Sequence, residues 1–209
     1  MALFELLKDE TMQSEIMITL NRAMIGFGLA ILVGSILGLF AGLFITASIM
    51  SRPIVTILFG MPPIAWIVLA MIWFGMGDTT VIFTVFIASF PIVFVGALQG
   101  TRTLEGELKE MADSFHLPFS MKLFDLYLPH IFSYIFPAYI SALGMSWKIV
   151  IMAELLATSD GLGAALAVAR SQLETSTALA IVTIMIASLL IIEYVVLEPI
   201  KKELEAWRD

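Results

Sequence analysis

Five long stretches of this chain carry no charged residue: 23–51, 53–77, 79–101, 131–147 and 175–192. A bilayer core of ~30 Å takes ~20 residues of helix to cross, so five spans are predicted, the fourth continuing past Lys148 and Glu154 to about Leu156. Backbone groups in lipid must find partners within the segment, and no stretch alternates apolar and polar residues as a barrel strand would. The expectation is an all-α polytopic membrane bundle, one transmembrane domain over residues 1–209. With 60% of residues hydrophobic and 14% charged, a soluble domain could not cover its apolar surface.

The second and third runs are parted only by Asp78, flanked by Gly75 and Gly77. Residues 74–80 are therefore expected to form a tight hairpin at one membrane face. Orientation follows from the basic residues. If the loop after the third span is cytoplasmic, that side carries Arg52, Arg102, Lys109, Lys122, Lys201, Lys202 and Arg208, against Lys8, Arg22 and Arg170 outside. The N-terminus then lies outside and the C-terminus inside. Residues 1–15 mix Phe4, Leu6, Leu7 and Met12 with Glu5, Lys8, Asp9 and Glu10, and read as an interfacial amphipathic helix. Acids ahead of the first apolar run, with no small-residue cleavage site, argue against a cleaved leader.

Other chemistries lack their residues. Cysteine is absent, which excludes disulfides and thiolate metal sites. His116 and His130 have no ligand-spaced partner, so no metal site is expected, and no phosphate-cradling glycine loop is present. No nucleophile with a His or Asp partner lies within the spans, so the chain does not read as an enzyme. Gly26, Gly34, Gly38 and Gly42 favour close helix packing.

The charged loop 102–129 holds the most specific pattern. Thr101 or Thr103 can cap a helix over 105–115, acids early and Lys109 late. His116 then falls just past its end, two residues before Pro118, where a left-handed residue is often needed. Composition alone describes a solvated helix equally well.

Glu110, Ala112, Leu128 and Pro129 match the signature Glu-Ala-Ala, three residues, Gly, nine residues, Ile-x-Leu-Pro. Leu126 stands for Ile, while Met111 and His116 depart from the pattern. In this the chain resembles the permease subunits of binding-protein-dependent ABC importers. Phe59-Gly60-Met61-Pro62-Pro63-Ile64, Trp73-Phe74-Gly75-Met76-Gly77 and Gly144-Met145-Ser146-Trp147, continuing through Ala153-Glu154 to Gly161-Leu162-Gly163, look like segments of the nitrate, sulfonate and taurine branch. Relative to six-span members of that branch, the first helix is expected to be missing.

The resemblance implies a multi-pass inner (plasma) membrane subunit that lines the substrate pathway as a dimer, a homodimer being expected, in contact with lipid. ATP and Mg would be bound by separate ABC ATPase subunits, with no cofactor on this chain. Coupling to them would run through Glu107, Glu110, Met111, Ala112 and His116, with Leu128 and Pro129 at the far end of the loop. An extracytoplasmic substrate-binding protein would deliver a small anion or vitamin precursor at Asp78, Asp160 and residues 161–173, and nucleic acid is not among the expected partners.

Within the membrane, Pro62 and Pro63 interrupt the second span and deprive the carbonyls near Leu58 and Phe59 of amide donors, as a packing kink or as part of the pathway. Trp66 and Trp73 are either packing anchors or substrate platforms. Lys148 and Glu154 are candidates for the pathway because an ionisable group in a span costs roughly 2.5–3.5 kcal/mol. Six residues apart, they cannot form the local i, i+4 pair. Snorkelling of Lys148 and an interfacial place for Glu154 are the plain alternatives. A proton- or ion-coupled secondary transporter using Lys148, Glu154 and Glu193 is the competing function. No inverted repeat supports it.

Overall fold

The computed structural model describes residues 9–103, 114–116 and 118–197, all helices and turns. Its longer helices are α1 (Glu10–Leu43), α2 (Ile45–Gly60), α3 (Pro63–Phe74), α4 (Asp78–Arg102), α5 (Leu128–Ala157), α6 (Leu162–Ser171) and α7 (Thr175–Ile191). π-helical segments precede α5 (Lys122–Tyr127) and follow α7 (Ile192–Leu197). Among the described residues four helices are long and apolar enough to cross a membrane, or five if α2 and α3 are one broken span. Leu32, Ile36, Phe40, Ile57, Ile72 and Ile186 remain exposed, as side chains facing lipid would.

The first span begins earlier than expected, and the second breaks as expected. Of the expected interfacial segment, residues 10–15 begin α1, whose 34 residues amount to about 51 Å at 1.5 Å per residue, more than a bilayer core needs, and residues 1–8 lie outside the described residues. The second span breaks where the prolines fall: α2 ends at Gly60, Pro62 (ψ 140°) caps α3, and Pro63 is its first residue, where a missing N–H costs nothing.

The chain divides into two compact units. The first holds the described residues among 1–27, 61–88 and 144–209, with a core of Ile67, Val81, Val85, Trp147, Val150 and Ile181. Trp147 Nε1 donates to the Met185 carbonyl at 3.2 Å. The expected hairpin is here: Gly75 (φ 78°) closes α3 by donating to the Met71 carbonyl at 2.9 Å, Gly77 (φ 138°) turns the chain, and Thr80 Oγ1 donates to the Gly75 carbonyl at 2.6 Å. A Cβ on Gly26 would come within 2.7 Å of Val85, so only glycine lets α1 and α4 pack this closely.

The second unit holds the described residues among 28–60 and 89–143. Its helices also meet through glycines. A Cβ on Gly34 would lie 2.9 Å from Val93, one on Gly38 2.7 Å from the Ala97 Cβ, and one on Gly42 2.5 Å from Thr101. Gly96 abuts Ala138, and Gly100 abuts Ile131 and Tyr134. Three of the four glycines singled out from the sequence thus pack within this unit and the fourth, Gly26, within the first.

Candidate functional site

Arg22, twelve residues into α1, is 4% exposed, and every donor of its guanidinium is used. Nε donates to Asp78 Oδ1 at 2.8 Å, and one terminal nitrogen bonds Asp78 again and Asp160 Oδ1 at 2.7 Å. The other donates to Glu154 Oε1 and the Asp160 carbonyl, both at 3.0 Å. Glu154 is fully buried, while the Asp78 and Asp160 side chains are 69% and 48% exposed. Thr19 Oγ1 donates to Glu154 Oε2 at 2.8 Å.

The same cluster caps α6. A helix begins with amides that have no intrahelical partner. The Gly161 N–H donates to Glu15, that of Leu162 to Thr19 Oγ1 at 2.8 Å, and that of Gly163 to Glu154 Oε2 at 3.1 Å. Gly161 (φ 95°) provides the turn, and its absent side chain leaves room for the Glu154 carboxyl group. The Gly77 N–H reaches the Ala157 carbonyl at 2.9 Å. One cation therefore ties together α1, the α3–α4 hairpin, the end of α5 and the start of α6, all in the first unit.

Sequence reading had assigned Arg22 to the outer side, Asp78 and Asp160 to a delivery surface, and Glu154 to the pathway or the outer interface, without joining them. A signal was present. With alternating spans, the start of run one, the turn between runs two and three, and the end of run four fall on the same side. Their charges were therefore available to pair.

Lys148 lies in a different setting. It is exposed on α5, one turn from the partly exposed Met152 and from Gly144, and no carboxylate among the described residues pairs with it. Trp66 is half-buried, and its indole N–H is enclosed with no hydrogen-bond partner among the described residues. Trp73, 57% exposed, packs edge-on against Phe74 and Phe83 at the hairpin, as an interfacial anchor would. Pro62 is exposed and Pro63 half-buried at the α2–α3 break.

Of the coupling residues, Glu107, Glu110, Met111 and Ala112 lie outside the described residues. His116 has φ 50°, the left-handed conformation expected of it. Leu128 and Pro129 open α5, both exposed. The wide π turn over Lys122–Tyr127 sits where Pro129 offers no N–H and its ring would crowd the carbonyl four residues back.

The sequence profile of the family described as binding-protein-dependent transport system inner membrane component matches residues 26–199. The taurine transport system permease protein TauC of Escherichia coli is 30% identical over 155 residues, 74% of this chain and 56% of that protein. The bicarbonate transport system permease protein CmpB of Synechococcus elongatus is 28% identical, covering 66% and 50%. The nitrate import permease protein NrtB of the same species is 27% identical, covering 71% and 53%. The chain spans about half the length of these curated relatives. With the family profile matched from within α1 to beyond α7, this chain belongs to the inner membrane components of binding-protein-dependent transport systems.

Proposed function

We propose that this chain forms, as a dimer, the pathway of an ATP-driven importer for a small anion, coupled to separate ATPase subunits through the loop around Glu110. The observation that carries the reading is the family match over residues 26–199, which takes in the spans and the signature loop. The relatives are named for nitrate and bicarbonate, both oxyanions, and these motivate the substrate class. The acidic lip of Asp78 and Asp160 is the surface offered to a substrate-binding protein. ATP and Mg belong to the partner subunits. The ion-coupled alternative has no observation in its favour, since Glu154 is enclosed by Arg22, Thr19 and the Gly163 amide.

Glu110→Lys reverses charge at the expected ATPase contact. The variant should insert in membranes normally yet recover less than about a tenth of the wild-type ATPase on co-purification, a loss of ~1.4 kcal/mol or more. Full recovery with full transport would remove the loop from coupling.

Orientation is open to labelling, because the chain has no cysteine of its own. Met76, 70% exposed in the hairpin, and Phe115, 73% exposed beside His116, are suited to single cysteines. An impermeant maleimide added to intact cells should modify Met76→Cys and spare Phe115→Cys. The reverse pattern would invert the topology and the import reading with it.

Lys148 supplies positive charge to the pathway. Two unit charges 4 Å apart exchange ~4 kcal/mol at an effective dielectric of 20. Uptake of a bound oxyanion by Lys148→Met should therefore fall by about tenfold or more at unchanged protein yield. Unchanged uptake would assign Lys148 to snorkelling.

A further inference from the structure

In the second unit, α2 and the C-terminal half of α4 enclose a cavity of about 470 Å³, whose polar lining includes Ser48, Ser51, Arg52, Gln99 and Arg102. The helices run antiparallel here, since Arg102 donates to Ser48 Oγ at 2.5 Å while Val55 and Phe94, each seven or eight residues further in, line the same cavity. The cavity is thus graded. The end where Arg102 meets Ser48 holds two guanidinium groups and hydroxyls, and the opposite, inner end holds Val55, Phe94 and Val95 with Thr56 beside them.

Arg52 and Arg102 sit on exposed positions, and no carboxylate among the described residues pairs with either. Among the described residues Arg102 bonds Ser48 through one of its donors, and planar guanidinium groups match phosphate oxygens in pairs. Basic pockets between membrane helices that open at the lipid surface suit acidic headgroups. We infer that this cavity binds an anionic phospholipid, with its phosphodiester held by Arg52 and Arg102 and an acyl chain laid along Val55, Phe94 and Val95. The apolar side chains Val55, Phe94 and Val95 distinguish this ligand from a free phosphate ion, which would use the arginines alone. The site shares no residue with the transport and coupling residues above, so it can fail while the importer reading stands.

The test uses the purified chain, delipidated in detergent and titrated with phosphatidylglycerol, with bound lipid counted by native mass spectrometry. Arg52→Gln with Arg102→Gln should weaken retention about thirtyfold, at roughly one strong cation–headgroup contact per arginine. Arg170→Gln, a basic residue of the first unit, should leave retention unchanged. Val55→Trp, which fills the inner end and keeps both charges, should also displace the lipid, and excess inorganic phosphate should not. The inference is overturned if the double arginine variant retains lipid like wild type, if Val55→Trp is without effect, or if inorganic phosphate competes as well as lipid does. Should the arginine pair prove too unstable to purify, Val55→Trp and the charge-conserving Arg52→Lys decide the outcome.

Discussion

Arg22→Met is expected to destabilise the protein by about 3–5 kcal/mol, the usual cost of leaving one partner of a buried ion pair uncompensated. Glu154 would keep its place at zero exposure with only Thr19 and the Gly163 amide as donors, and Asp78 and Asp160 would lose the cation between them. Thermal unfolding of the purified variant should show a much lowered midpoint, with reduced yield. Adding Glu154→Gln should restore much of the loss, because the neutral amide can still accept from Thr19 and Gly163 while the buried charge is gone. Double-mutant analysis separates this from general damage, since independent sites would sum and these should not. An Arg22→Met protein as stable as wild type would show that the cluster contributes no net stability.

Gly161→Ala should be comparably damaging, at about 2–6 kcal/mol, because two costs meet at one atom. A residue with a side chain at φ 95° is strained by about 1–3 kcal/mol. The new Cβ would also run into the Glu154 carboxyl group, and overpacking of a rigid site adds about 1–3 kcal/mol. Gly77→Ala is the control, because Gly77 has φ 138° but nothing within 4 Å of a Cβ, so it incurs strain alone. Midpoints from the same unfolding assay should rank wild type above Gly77→Ala and Gly77→Ala above Gly161→Ala. Equal losses for the two glycine variants would mean that the Glu154 carboxyl group moves aside freely. In that case the cap on α6 is not rigid.

What the sequence determined by itself is set by chemistry local to the chain. Runs of apolar residues long enough for a bilayer dictate helices, because the backbone has no other partner in lipid. Gly75 and Gly77 dictate the hairpin, Pro62 and Pro63 dictate the break, and the place of His116 two residues before Pro118 anticipates its left-handed backbone. The signature around Glu110 pointed to the family before any contact was known. Only the tertiary structure could decide which charges meet. Arg22 joins Asp78, Glu154 and Asp160 across 56, 132 and 138 residues, and no helical period relates positions so far apart. Reading α1 from Ala23 placed Arg22 in water, whereas a helix continuous from Glu10 makes it a buried side chain that must find carboxylates. The cavity at Arg52 and Arg102 has the same origin. Two arginines that counted only towards orientation become a paired site once α2 lies antiparallel to α4, because packing brings together side chains that sequence spacing keeps apart.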